Sequence, residues 1–201
     1  MYIAFFNQVD FDCPRLAQFI NRTPTLRIHD EVHVDFDDWG TSFALPTRPG
    51  ALGIFILCTE PDWQLSSMEQ VCNSSLPPCS AVEVLYIEHH YQELVWKNDT
   101  IENTLWLQLL LPFTAVKNLY LSKQFVPGIA AALQELVGGR TEVLPSLQNI
   151  YVESSLREPS GPFRKDIGEF VTARQLSGHP VAISIWTLRK MKAHRHVCTL
   201  P

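Results

Sequence analysis

Three stretches of the chain alternate apolar, polar and apolar residues in the same way: Leu85-Tyr86-Ile87, Leu119-Tyr120-Leu121 and Ile150-Tyr151-Val152. Each is preceded three positions earlier by another apolar residue (Val82, Val116, Leu147) and follows a Leu-Pro pair (Leu76-Pro77, Leu111-Pro112, Leu144-Pro145). Counted at the residue before the tyrosine, the spacings are 34 and 31, and Ile183-Ser184-Ile185 follows 33 residues on with serine in the tyrosine slot. Period-two alternation predicts strands with the apolar residues directed inward and the tyrosines outward. Recurrence every ~20–50 residues is the mark of stacked repeats.

Helical periodicity fills the intervals. Phe125 to Val137 carries Val126, Ile129, Ala130 and Leu133 on one face, with Ser122 as its predicted cap, Pro127 in its first turn and Gly138-Gly139 as its stop. Pro61 opens a helix with Leu65, Met68, Val71 and Cys72 inward. Asp99-x-x-Glu102 resembles a capping box ahead of a helix over Ile101 to Leu111 that is apolar nearly all round. Ser160-Gly161-Pro162 starts a helix with Phe163, Ile167, Phe170 and Val171 on one face, closed at Gly178. Further strands are predicted at Phe5 to Phe11, Val32 to Phe36, Gly53 to Thr59 and Val181 to Trp186. Asp37 to Gly40 forms a turn that leads into a short partner strand over Thr41 to Leu45, Asp12 and Pro14 open a short helix, and Glu88 to Asn98 is a polar, aromatic insertion.

Strand, crossover helix and strand in like register predict a parallel sheet, because a crossover of this length returns the chain to the same end. The spacing of the apolar residues is the L-x-x-L-x-L of a leucine-rich-repeat strand. The expected fold is therefore α/β: a leucine-rich-repeat-like right-handed solenoid with a parallel sheet on one face and crossover helices on the other, spanning 1–186. Nothing at the start serves as the cap that shields the first face of a repeat array, so the chain reads as the later part of a longer array.

Specific phrases carry a family likeness: Glu60-Pro61-Asp62-Trp63-Gln64-Leu65-Ser66-Ser67, the run from Ile101 to Ser122, the run from Ala132 to Pro145, and Phe170-Val171-Thr172-Ala173-Arg174-Gln175-Leu176 with His179-Pro180. These resemble the C-terminal repeats of fungal (basidiomycete) F-box/leucine-rich-repeat proteins. The resemblance implies the substrate-recruiting part of a cullin–RING ubiquitin ligase subunit, with an F-box that docks a Skp-type adaptor and repeats that hold a protein client. No F-box stands in this sequence. The Asn or Cys of regular repeats is replaced by His90, Gln124 and Ser155, so an irregular stack is expected.

Composition narrows the function. Hydrophobic residues at 46% and charged residues at 18% suit a globular core. The net charge of −5 is uneven: residues 188–201 hold four cations and no acid, leaving 12 cations against 21 acids, or −9, elsewhere. An acidic body is unsuited to nucleic acid, and the basic end is expected to be a disordered tail. No stretch reaches the ~20 apolar residues of a membrane span. The five cysteines share no C-x-x-C spacing and, with no signal peptide at the start, point to free thiols in an intracellular protein, cytoplasmic or nuclear.

Catalytic motifs are missing: there is no G-x-S-x-G elbow and no phosphate-cradling glycine loop, so a non-enzymatic protein without a cofactor is expected. Glu88-His89-His90 with Glu93, and His194-x-His196-x-Cys198, offer ligand types without structural zinc spacing, and no metal is expected. The tyrosines are the candidate chemistry. Tyr86, Tyr120 and Tyr151 should stack across an open sheet face, beside Lys117, Asn118 and Asn149, as a partner-binding surface. The insertion with Tyr91 and Trp96 is the second candidate surface. The competing expectation is a truncated structural remnant with no partner, in which the rings only brace the sheet.

Overall fold

The structure is a computed structural model and describes residues 2–5, 18, 22, 30–45, 52–74, 79–89, 103–135, 143–153 and 163–186. Eight strands form one open sheet: β1 Tyr2–Phe5, β2 Glu31–Phe36, β3 Gly40–Ala44, β4 Gly53–Leu57, β5 Val84–His89, β6 Asn118–Leu121, β7 Asn149–Glu153 and β8 Ala182–Trp186. Four helices accompany them among the described residues: α1 Pro61–Ser74, α2 Asn103–Leu110, α3 Val126–Glu135 and α4 Phe163–Leu176. The strand order is β1-β4-β3-β2-β5-β6-β7-β8.

From β2 through β5, β6 and β7 to β8 every pairing is parallel and in register, so Leu85 lies against Leu119, Leu119 against Ile150, and Ile150 against Ile183. The repeat extends to the backbone. The carbonyls of Asp30, Glu83 and Lys117 each accept two successive N–H groups of the next strand, at 2.8–3.1 Å. Before each of β5, β6 and β7 the chain closes the same turn, with Val82, Val116 and Leu147 donating to Cys79, Phe113 and Leu144. These turn residues and the two inward residues of each strand are all buried. The structural unit is thus a buried residue six positions before the Leu85-type site. The Leu-Pro pairs do not mark it, because they fall nine, eight and six positions ahead.

A uniformly parallel array is not what the chain builds. β2, β3 and β4 form an antiparallel meander inside the sheet, and β1 pairs in parallel with β4. The turn from β2 to β3 is fixed by Asp37, whose Oδ1 accepts from the N–H groups of Trp39 and Gly40 at 2.8 and 2.7 Å. Gly40 is required there, since a Cβ would lie 2.2 Å from the Ile56 carbonyl oxygen on β4. α1 then has to carry the chain past β3 and β2 to reach β5. Gln64, buried in α1, locks this arrangement by donating to the carbonyls of Asp37 and Cys58, both at 2.8 Å.

The helices pack in chain order, α1 on α2, α2 on α3 and α3 on α4, over the inward residues of the sheet. Trp106 of α2 sits at the centre, 6.0 Å from the Phe36 ring and 5.4 Å from Phe125. Burial of aromatic and aliphatic groups on both sides of α2 accounts for its nearly all-round apolar character.

Four local expectations change. Ser122 makes no side-chain capping bond, and a 3-10 turn, Lys123–Phe125, leads into α3. Glu88 is buried within β5 rather than opening an insertion. The first strand occupies Tyr2–Phe5, and β4 ends at Leu57 instead of Thr59. Predictions for residues 6–11, the helix opened by Asp12 and Pro14, the Asp99 capping box, Gly138-Gly139, the start at Ser160 and the 187–201 tail lie outside the described residues.

Candidate functional site

Alternation along the parallel strands directs one set of side chains away from the helices, and in-register pairing lines them up in rows. The central row is His33, Tyr86, Tyr120, Tyr151 and Ser184. Its four rings form a continuous stack. Centroid separations are 4.3 Å for His33–Tyr86, 4.3 Å for Tyr86–Tyr120 and 4.4 Å for Tyr120–Tyr151, with planes 6°, 19° and 10° apart. Rings mounted on strands about 4.8 Å apart meet face to face when each keeps the same rotamer. Trp186 of β8 lies edge-on to Tyr120, 5.6 Å away.

His33 was missed as a member of this row. Its stretch, Val32-His33-Val34, shows the same alternation, but β3, β4 and α1 lie between it and Tyr86, so the recurring interval does not reach it. Its Nε2 donates to Glu31 Oε1 at 2.7 Å and its Nδ1 faces Glu88 Oε2 at 3.4 Å. Burial alone would lower its pKa, but the hydrogen bonds to Glu31 and Glu88 and the charge of Asp35 outweigh it and raise the value to about 9. His33 is therefore an imidazolium at neutral pH, pressed face-on against Tyr86 as a cation on a π face.

The row is not open along its whole length, as the sequence suggested. Tyr86 is only 8% exposed, enclosed between His33 and Tyr120, whereas Tyr120 and Tyr151 are half-buried. Burial and the nearby Glu31 carboxylate raise the Tyr86 pKa, and burial with Tyr151 beside it raises that of Tyr120, so both phenols stay neutral donors. A second row, two residues further along the strands, holds Asp35, Glu88, Ser122, Glu153 and Trp186. Ser122 Oγ accepts from the His89 backbone N–H at 3.1 Å and donates to Glu153 Oε2 at 2.8 Å. Among the described residues the outward face thus carries the carboxylates of Glu31, Asp35, Glu88 and Glu153 and the imidazolium of His33.

Of the other predicted residues, Asn118 and Asn149 join in a cross-strand pair, Asn149 Nδ2 donating to Asn118 Oδ1 at 2.9 Å. Lys117 pairs with exposed Glu83 at 2.7 Å, which occupies its charge at the strand ends instead of on the tyrosine row. Tyr91 and Trp96 lie outside the described residues. Glu88 and His89 face opposite ways, Glu88 toward His33 and His89 against the Phe125 ring 6.0 Å away, so the local Glu-His grouping does not converge. Among the described residues no group of three or more potential metal ligands comes together, and no helix is long and apolar enough to cross a membrane. Cys72 and Cys79 are free and buried and Cys58 is free and half-buried, with burial raising the Cys58 thiol to about 11.

No protein-family model, curated protein or solved structure matches this chain.

Proposed function

We propose that this chain is a non-enzymatic protein-recognition module, an irregular right-handed solenoid of leucine-rich-repeat type whose tyrosine face holds a protein client inside the cell. The observation that carries the reading is the ring stack: three phenols in register on consecutive parallel strands, with Tyr120 and Tyr151 half-buried at its accessible end. Pre-stacked aromatics lose little side-chain freedom on binding, and a few such anchors supply most of the energy of protein recognition. On this reading, which rests on the sequence resemblance to the repeats of F-box proteins, the module would belong to a ubiquitin-ligase subunit, with a Skp-type adaptor engaged only where an F-box is present in the same gene product.

The test is the double substitution Tyr120→Ser with Tyr151→Ser. Each lost cross-strand aromatic contact costs about 0.2–1 kcal/mol, too little to unfold the packed core. Proximity labelling in the native host cell should lose its specific captured proteins while the circular dichroism spectrum is unchanged. An unchanged set of captured proteins from folded variant would remove this face from consideration.

A further inference from the structure

Two cysteines meet where the repeat elsewhere places a plain apolar residue. In the turns that precede β6 and β7 the accepting carbonyl belongs to Phe113 and Leu144, and in the turn that precedes β5 it belongs to Cys79. Cys79 opens the 3-10 turn Cys79–Ala81 and is buried, and Cys72, also buried, lies in the last turn of α1. Both are free thiols. The Cys79 thiol donates to the Cys72 carbonyl at 3.8 Å, and the two thiols are within hydrogen-bonding reach of each other. Asn73 holds the end of α1 in this place, its Nδ2 donating to the Gln108 carbonyl of α2 at 3.1 Å.

Packing alone is served by an ordinary apolar side chain, as Phe113 and Leu144 show at the equivalent turns. Two sulfurs side by side add a chemistry that neither of those residues has. We propose that Cys72 and Cys79 are a redox pair, which a hydroperoxide converts to a disulfide that ties α1 to the turn ahead of β5. With hydrogen peroxide, one sulfur attacks a peroxide oxygen, the O–O bond breaks, and a sulfenic acid and one water form. The other sulfur then attacks the sulfenic sulfur, the S–S bond forms as the S–O bond breaks, and a second water leaves with the remaining thiol proton. The thiols lose two electrons and two protons, and the peroxide is reduced to two waters. Burial, with the Cys79 thiol beside it, holds Cys72 protonated well above the ordinary thiol range, so bulky thiol reagents react slowly and a small oxidant is the fitting partner. Because α1 is the crossover from β4 to β5, the bridge fastens the connection behind the strand that carries Tyr86.

The experiment treats the full folded chain with hydrogen peroxide, unfolds it, blocks the remaining thiols with iodoacetamide and cleaves after glutamate. Cleavage yields Gln70 to Glu83, which contains these two cysteines and no other. The peptide should be unalkylated and lighter than the dithiol by two hydrogen atoms, and dithiothreitol should restore both thiols. In Cys72→Ala, Cys79 has no partner to resolve it, and its oxidation should run on to sulfinic acid. The bridged chain should unfold at a higher urea concentration than the reduced chain, because the cross-link restricts the unfolded state. A peptide that keeps both alkylation sites, sulfinic acid at both cysteines with no bridge, or a bridge that forms only in the urea-unfolded chain would each overturn the proposal. So would a bridged chain with a lower urea midpoint, since the native geometry would then not accommodate the bond.

Discussion

The charge on His33 makes the fold's stability depend on pH between about 6.5 and 9. Its pKa rises from 6.5 to about 9 in the folded chain, so folding favours the protonated ring. The stabilisation is fully present below pH ~6.5 and is lost as pH rises through ~9. A rise of that size corresponds to roughly 3 kcal/mol, and because the Nδ1–Glu88 contact is long at 3.4 Å, about 2 kcal/mol is the better expectation. His33→Phe keeps a ring against Tyr86 but removes the charge that Glu31 and Glu88 face. Urea unfolding of both proteins from pH 6.5 to 9.5 measures the difference, with titration of the cysteines and tyrosines common to both chains. The native chain should lose about 2 kcal/mol across that interval beyond any loss in the variant, and the two curves should converge toward high pH. Parallel curves with a constant offset would mean instead that His33 contributes by packing and not by charge.

The remaining expectations are simpler. Leu119→Asp puts an unpaired charge at a fully buried site and should cost several kcal/mol, whereas Tyr120→Ser, one residue along, should cost about 1 kcal/mol; equal losses in chemical denaturation would contradict the assigned alternation. Gly40→Ala drives a Cβ into the Ile56 carbonyl and should destabilise by at least about 2 kcal/mol, and a melting temperature equal to that of the native chain would show that the meander is not held as described. Leu176 and Ile185 are 84% and 43% exposed at the β8 end of the sheet, so Leu176→Arg with Ile185→Lys should leave stability within about 1 kcal/mol and reduce concentration-dependent light scattering.

The part of the fold legible in the sequence is the part where each strand repeats its neighbour. Leu85, Leu119, Ile150 and Ile183 share one pattern, and parallel in-register pairing follows because equal crossovers return the chain to the same end. The meander was visible only locally. Asp37 to Gly40 reads as a turn and Thr41 to Leu45 as a returning strand, yet nothing in that stretch says that β4 follows on β3 and that β1 closes against β4. Those pairings depend on long-range packing, including the two bonds from buried Gln64. The tyrosine row could be anticipated from alternation, whereas His33 could not, because its distance from Tyr86 includes a hairpin and a helix absent from the other intervals. The burial of Tyr86 and Glu88 likewise comes from neighbours supplied by β2, which sequence spacing does not place.

Contact between the tyrosine face and a protein partner is read out by site-specific photo-crosslinking in the native host cell. A photoreactive phenylalanine analogue is placed at Tyr151, and in a parallel chain at Glu169, an exposed position on α4. Discrete, saturable protein adducts are expected from position 151 and none from position 169. Adducts of the same identity and yield from both positions, or none from 151 while the folded chain is abundant, would contradict it.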